Sequence, residues 1–199
     1  MIIGVTGGLG TGKSTFARGL AHYLKGHLID ADELAHLALS ARRPCYSKII
    51  SFFGKDILND KGLIDRAKLG KKAFSNMLYL RKLNKIIHPY VIKNIRDRIK
   101  VIYNKNKSAF IIIDAPLLIE TGLHKECGLV IVVISSLSLQ VERSSIYKKI
   151  RLEDALSRIR MQMPLSKKAR FADYVINNNG SLQELRKGCK DLAEKIKAL

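Results

Sequence analysis

The sequence predicts an α/β protein built on a five-stranded parallel sheet flanked by helices. Three observations predict it: short apolar runs recur along the chain, segments of helical periodicity separate them, and the glycine-rich segment GGLGTGKST follows the first run. The runs are continuous rather than alternating, as expected of strands that helices cover on both faces. Strands that alternate with helices are typical of the α/β class.

Five strands are predicted in order along the chain. They are IIGV, HLI, AFIII, LVIVVI and DYVI, over residues 2–5, 27–29, 109–113, 129–134 and 173–176. The last of them ends in the turn signal NNNG. A single helix, over residues 14–25, joins the first two strands.

The spacing of the strands predicts two helical excursions from this core. About 80 residues separate the second and third strands, far more than a simple crossover needs. We interpret residues 39–107 as a mostly helical insertion and residues 138–168 as a charged helical pair. The segments 1–38, 108–137 and 169–199 then form the core domain.

The net charge is unusual for a soluble protein. The chain has 36 Lys and Arg against 17 Asp and Glu, for a formal charge of +19. Such a surplus favours polyanionic partners: nucleic acid, acidic membrane or phosphorylated small molecules. A Lys-rich genome would give the same surplus, and both interpretations stay open at this point.

The cysteines indicate a reducing compartment. Cys45, Cys127 and Cys189 are odd in number and far apart, which argues against a disulfide framework or a zinc site. No apolar run approaches the roughly 18 residues of a membrane span. The start MIIGVTGG leaves no room for a signal peptide. We expect a cytoplasmic protein.

The segment GGLGTGKST, residues 7–15, matches the phosphate-binding pattern G-x-x-x-x-G-K-[ST]. Its glycines let backbone N–H groups turn inward around phosphate oxygens, and the helix that follows directs its positive end at the same anion. Lys13 can reach the β- and γ-phosphates, and the Ser14 hydroxyl can ligate Mg²⁺. Because a strand precedes the segment and a helix follows it, we prefer a nucleotide site to a glycine-rich turn with an incidental lysine. The predicted nucleotide-binding residues are Gly8, Gly10, Thr11, Gly12, Lys13, Ser14 and Thr15.

Two features favour phosphoryl transfer over hydrolysis. The guanine signature N-K-x-D is not matched by NKNK at 104–107, which argues against a GTPase. Many ATPases place a catalytic glutamate after the aspartate of the third strand, but here Asp114 is followed by Ala115 and Pro116. Without that glutamate, transfer to a bound acceptor is the better prediction.

The segment LIDADELAH places Asp30 and Asp32 at the end of the second strand. That strand lies beside the first or one strand away, so its carboxyl end opens onto the same crevice as the phosphate loop. One carboxylate there can accept the proton of an acceptor hydroxyl, as an aspartate does in protein kinases, and another can hold the water shell of the metal. The alternative for Asp32 is an N-cap of the helix that begins ELAHLAL.

Further segments extend the phosphate-loop signature. GVTGGLGTGKST is followed by IDAD, and GLIDRAKL (62–69), LNKIIHP (83–89), DAPLLIETGL (114–123), QVER, RIRMQMP and ADYVINNNGSLQEL come after them. Together, in this order and over nearly the whole chain, they resemble the dephospho-coenzyme A kinase family. The resemblance implies a P-loop kinase fold and ATP-dependent phosphorylation of the ribose 3′-hydroxyl of dephospho-coenzyme A, the last step of coenzyme A synthesis.

The resemblance also implies roles for individual residues. Asp32 is then the catalytic base beside Lys13, and Asp30 orients water around Mg²⁺. Residues 39–107 become the substrate domain and residues 138–168 a lid over ATP. The further residues implied are Arg66, His88 and Asp114 for substrate, and Arg143 and Asn177 for ATP. Purely structural roles are the alternatives to substrate binding. They are a surface ion pair with Asp65 for Arg66 and a helix-end turn for His88.

The lid departs from the family pattern. An arginine is expected a few residues after Q-x-x-R, but Tyr147 stands there, with Lys148 and Lys149 after it. Arg143 or one of those lysines would then supply the positive charge, although lysine lacks the planar fork of arginine. The cluster could equally be a solvated helix face.

Two rival functions remain at this stage. One is another P-loop kinase, acting on a nucleoside monophosphate or a small metabolite. The other is a nucleic-acid-binding P-loop protein, which would bind with a steep salt dependence, but no recognition-helix or aromatic-interleaved basic signature supports it. We predict ATP and dephospho-coenzyme A as partners, Mg²⁺ as cofactor, no required nucleic acid, no membrane, and a monomer or weak homo-oligomer.

Overall fold

The computed structural model describes residues 1–148 and 151–199. The chain divides into two compact units: Met1–Asp30 with Ile99–Leu199, and Ala31–Arg98. The second unit overlaps the insertion predicted over 39–107. That the insertion binds substrate stays a prediction.

The first unit contains a five-stranded parallel sheet, as the sequence predicted. The strands are β1 (Ile2–Gly7), β2 (His27–Asp30), β3 (Ile111–Asp114), β4 (Leu129–Ile134) and β5 (Tyr174–Asn177). Their order is β2-β3-β1-β4-β5, and every pair is parallel. The second strand therefore lies one strand away from the first, with β3 between them. This order brings the carboxyl ends of β1, β2 and β3 to one edge of the sheet.

Helices account for most of the remaining chain. They are α1 (Lys13–Leu24), α2 (Ala31–Ala38), α3 (Pro44–Phe53), α4 (Arg66–Phe74), α5 (Met77–Lys105), α6 (Leu137–Lys148), α7 (Leu152–Arg160), α8 (Leu165–Ala169) and α9 (Leu182–Lys197). The excursion predicted as a helical pair over 138–168 contains α6 and α7, with the short α8 added.

The core of the first unit lies between β1, α1 and α9. Ile3 and Val5 of β1 pack with Phe16 and Leu20 of α1, and Leu192 of α9 belongs to the same buried cluster. Since the apolar side chains of α1 and α9 face one side of the sheet, β1 and the loop that follows it rest on a fixed support.

The second unit has its own core. Ile49 and Phe53 of α3 pack with Leu69 and Ala73 of α4 in one buried cluster. Burying an Ile, Leu or Phe side chain stabilises a unit by about 1.5–3 kcal/mol relative to exposure. The unit therefore has an apolar interior of its own.

Helix α5 corrects one interpretation from the sequence. One alternative that the sequence offers for His88 is a helix-end turn before Pro89. In the structure, α5 runs for 29 residues with Pro89 inside it. His88 therefore lies within a helix, and the helix-end turn is wrong. No helix in the described part of the chain is both long enough and apolar enough to cross a membrane.

Candidate active site

The phosphate loop lies between the end of β1 and the start of α1. Gly10 and Gly12 have φ angles of 74° and 84°, in the left-handed region that side chains other than glycine rarely adopt. A Cβ at Gly10 would also collide with the backbone carbonyl of Gln140. Thr11 is buried, and its hydroxyl donates to the carbonyl of Gly8 at 3.0 Å. Backbone conformation and close packing thus explain why these positions need glycine.

The predicted loop residues occupy the places expected of them. Gly8, Gly10, Thr11 and Gly12 form the loop, and Lys13, Ser14 and Thr15 form the first turn of α1. The N–H groups of that turn and the helix dipole make this end of α1 attractive to anions. The local arrangement of strand, glycine loop and helix matches the phosphate cradle that the sequence predicted.

Lys13 and Asp114 form a buried ion pair at the foot of the loop. The Lys13 ammonium contacts Asp114 Oδ1, and the two side chains are 8% and 2% exposed. The same ammonium lies 3.3 Å from the Ser14 hydroxyl oxygen. Two predicted site residues of the phosphate loop segment, Lys13 and Ser14, are therefore brought together with a third, Asp114, from a distant part of the sequence.

Asp30 lies in the strand next to Asp114. The two are register partners at the carboxyl ends of the neighbouring strands β2 and β3. Asp30 is half-buried. Two carboxylates and Lys13, the lysine of the phosphate loop (hereafter the phosphate lysine), thus occupy the same edge of the sheet, where parallel α/β sheets bind ligands.

Three predicted substrate residues belong to the second unit. Asp32 is exposed and lies in the first turn of α2, which begins at Ala31. Asp32 is thus inside the helix rather than at its N-cap. His88 is half-buried in α5.

Arg66 is the first residue of α4 and has a defined neighbour. Its Nη2 lies 2.7 Å from Nε2 of His36. Asp65 is the N-cap of the helix, and its carboxylate accepts from the N–H groups of Ala67 and Lys68 at 2.8 and 3.1 Å. The Asp65 carboxylate thus satisfies free amides of the first turn, while the guanidinium is placed against an imidazole.

Arg143, in the segment predicted to be a lid, has two backbone partners. Its guanidinium donates to the carbonyl of Asn178 at 2.9 Å and to that of Gly180 at 3.4 Å. Tyr147, at the position where the resemblance predicts an arginine, is 80% exposed. Lys149 lies outside the described residues, as does the side chain of Lys148.

Comparison with known proteins decides the family. A model of the family described as dephospho-CoA kinase matches residues 1–184. The chain belongs to the dephospho-CoA kinase family. The predicted P-loop kinase fold, the resemblance to this family and the prediction of a phosphate-transferring enzyme are confirmed. The roles of individual residues stay predictions.

Relatives of this kinase match over nearly their full lengths. The dephospho-CoA kinase of Carboxydothermus hydrogenoformans is 41% identical, over 98% of this chain and 94% of its own. That of Lactobacillus johnsonii is 37% identical, over 98% and 97%. The solved structure of dephospho-CoA kinase from Campylobacter jejuni is similar with a TM-score of 0.68 and 31% identity, covering 98% of this chain and 96% of that one.

Residues that the sequence did not predict also hold the phosphate loop of this kinase. The amide of Asn178 donates to the carbonyl of Thr11 at 2.8 Å, and the N–H of Leu9 donates to Oε1 of Gln162 at 3.0 Å. Asn177, the predicted ATP contact, is the exposed last residue of β5. The run of three asparagines showed that a turn follows β5, but not which amide faces the loop.

The oxygen atoms near the loop suit a magnesium ion that arrives with a nucleotide. Within residues 1–148 and 151–199, no group of three or more His, Cys, Asp or Glu could hold a metal ion. Mg²⁺ commonly takes one or two protein oxygens and completes its octahedron with phosphates and water. The Ser14 hydroxyl and the Asp30 carboxylate have the required chemistry, so the donor set fits this ion.

Proposed function

We propose that the protein transfers the γ-phosphoryl group of ATP to the ribose 3′-hydroxyl of dephospho-coenzyme A, giving coenzyme A and ADP. The observation that carries the proposal is the Lys13–Asp114 pair at the foot of a glycine loop, in a chain of the dephospho-CoA kinase family. This reaction is the last step of coenzyme A synthesis. The location proposed for it is the cytoplasm, in keeping with three free cysteines.

The proposed chemistry rests on positioning and charge neutralisation, as phosphoryl transfer requires. The loop N–H groups and the positive end of α1 bind the phosphates. The Lys13 ammonium, which Asp114 positions, offsets negative charge on the transferred group. Mg²⁺, if bound with ATP, would supply further positive charge that offsets the charge of the phosphates. Ser14 and Asp30 are the residues proposed to hold it.

Residues of the second unit are proposed to bind and activate the acceptor. Asp32, exposed in the first turn of α2, is proposed to accept the proton of the 3′-hydroxyl and to aim its oxygen at phosphorus. Arg66 and His88 are proposed to bind the pyrophosphate of dephospho-coenzyme A, since a guanidinium suits phosphate oxygens. Arg143, Asn177 and closure of the lid are proposed to act on ATP and to exclude water, which would otherwise compete as acceptor.

The function is tested by measuring acceptor-dependent ADP formation. The purified protein with ATP and Mg²⁺ should produce ADP and coenzyme A when given dephospho-coenzyme A, and far less ADP with AMP or with no acceptor. Equal turnover without an acceptor would show an ATPase instead. Faster turnover with AMP would show a nucleoside monophosphate kinase.

A further inference from the structure

Lys168 is a buried lysine that the proposed mechanism does not use. It lies in the short helix α8, and its side chain is 0% exposed. Lysine is almost never fully buried unless it is paired. Because no part of this side chain reaches solvent, a direct contact with substrate does not account for it.

The ammonium of Lys168 has a definite set of partners. It lies 2.9 Å from Oε1 and 3.2 Å from Oε2 of Glu120, and it donates to the carbonyl of Pro116. Burial lowers the pKa of Lys168, the charge of Glu120 opposes that effect, and the positive charge of Lys13 adds to it. The partners of the ammonium are thus one carboxylate and one backbone carbonyl.

The ion pair of Lys168 with Glu120, which is partly exposed, does not by itself explain a buried lysine. Apolar residues of similar volume often replace such a pair without loss, because they avoid the desolvation of two charges. What an apolar residue at position 168 could not do is donate a hydrogen bond to Pro116. The hydrogen bond from Lys168 to Pro116 is therefore the contact that the need for a buried charge does not explain.

The carbonyl of Pro116 joins three segments of the first unit. Besides Lys168, it accepts from the hydroxyl of Thr6 at 3.2 Å. Thr6 lies in β1, directly before the phosphate loop, and the N–H of Ala115 donates to the carbonyl of Val5 in the same strand at 3.1 Å. The residues that follow Asp114 are thereby tied to the strand that leads into the loop.

We infer that Lys168 is a positioning residue for phosphoryl transfer. Its ammonium fixes the carbonyl of Pro116, and through it the segment carrying Asp114, so that Asp114 holds Lys13 at the foot of the phosphate loop. The kinetic part of this inference rests on the proposed function, because it concerns the rate of that reaction. The geometric part, which is the placement of residues 114–122 by Lys168, rests only on the contacts just described.

The kinetic test compares two variants with a matched control. Lys168→Met removes the donor but also leaves the Glu120 carboxylate without this partner, so Lys168→Met/Glu120→Gln is made as well, since it removes both charges of the pair. Lys167→Met, at the exposed neighbouring position of α8, is the control. Both Lys168 variants should lose about 10- to 100-fold in kcat, the loss that a misplacement of about 1 Å produces. Their KM for ATP should stay within about threefold of the wild type, because the loop amides are untouched.

Two kinetic results would overturn the inference. A double variant with wild-type kcat would show that Lys168 only neutralises Glu120. A raised KM for ATP at unchanged kcat would show that Lys168 serves ground-state binding rather than placement of Lys13. If the wild type itself does not phosphorylate dephospho-coenzyme A, it is the proposed function that fails.

A measurement that needs no acceptor tests the geometric part in every case. Amide hydrogen exchange should be faster over residues 115–122 in Lys168→Met/Glu120→Gln than in Lys167→Met. Amide exchange in the strands of the sheet should be unchanged. Equal exchange in the two variants would contradict the placement of this segment by Lys168, whatever the activity of the protein.

Discussion

At the scale of single residues, the ion pair between Lys13 and Asp114 defines the chemistry of the site. Both side chains are almost completely buried, so their mutual attraction is little screened by solvent. Removing one partner of such a pair leaves an uncompensated charge in the interior, which is far more costly than losing a surface pair. The position of the phosphate lysine therefore depends on one carboxylate.

Asp114→Asn should reduce the free energy of unfolding by about 3 kcal/mol, because the Lys13 ammonium loses its buried counter-charge. ATP should raise the melting temperature of this variant more than that of the wild type, since its phosphates replace the missing negative charge. Thermal unfolding with and without ATP measures both effects. Asp56→Asn is the control, because its ion pair with Lys72 is solvent-exposed. An equal response of the two variants would contradict the assignment.

The two aspartates of the segment LIDADELAH have different predicted roles, and substitution separates them. Asp32→Asn should lower kcat by about 10²-fold or more and leave ATP affinity intact, because it removes the proposed base. Asp30→Asn should reduce kcat less and raise the Mg²⁺ concentration needed for half-maximal rate. Steady-state kinetics over a range of Mg²⁺ concentrations distinguishes the two. If both variants are equally mild, neither aspartate is the base.

At the scale of elements, the parallel sheet was predictable because its central strands β1, β3 and β4 are buried and rich in branched apolar residues. Ile111, Ile112 and Ile113 of β3 are each 0% exposed, which explains the continuous rather than alternating pattern. The phosphate loop was predictable for a different reason: left-handed φ angles and close packing restrict its positions to glycine. In both cases the local sequence pattern and the tertiary structure require the same types of residue.

Three features were not predictable, each for a physical reason. The backbone at the histidine–proline pair was ambiguous, because proline is a local helix breaker and only the surrounding structure shows that α5 continues through Pro89. The sequence also could not show that Asn178, rather than Asn177, holds the loop. This depends on where the pairing of β4 with β5 ends, because Asn178 is the residue that follows the last paired position. Lys168 lies in a basic segment typical of an exposed helix, and only the tertiary fold places it beside Pro116 and Glu120.

The packing of α1 against α9 can be tested through a thiol. Cys189 of α9 is 1% exposed, and its Sγ lies 3.6 Å from the carbonyl oxygen of Phe16 in α1. Burial raises the pKa of Cys189 from 9.0 to about 11. At pH 9, about half of a thiol with the unshifted pKa is ionised, against about one in a hundred at the raised value.

Cys189 should therefore react with an alkylating reagent at pH 9 at least about 50-fold more slowly in the folded protein than in denaturant. Because the folded pKa is raised, its contribution to stability is complete below pH 9 and is lost as the pH rises towards 11. Peptide mapping after timed alkylation measures the rate at this cysteine. Rapid modification of the folded protein would show that α1 and α9 do not stay packed.

At the scale of the whole molecule, the formal charge of +19 is the dominant physical property. Dephospho-coenzyme A and ATP are both polyanions, so a positive protein should attract them over long distances. This attraction is screened by salt within about 8–10 Å at physiological ionic strength. Nucleic acid would be attracted by the same field.

The KM for dephospho-coenzyme A should therefore rise about three- to tenfold when NaCl is increased from about 50 to about 300 mM, with kcat at saturating substrate little changed. The reason is that screening weakens the capture of the acceptor, whereas the buried Lys13–Asp114 pair is shielded from added ions. Sucrose at matched osmolality is the control, since it adds no charge. Adding double-stranded DNA at low salt should inhibit by competition, and the inhibition should disappear at high salt. A KM that does not respond to salt would mean that the excess of Lys and Arg serves no purpose in substrate capture, and that the anionic acceptor is recognised by short-range contacts alone.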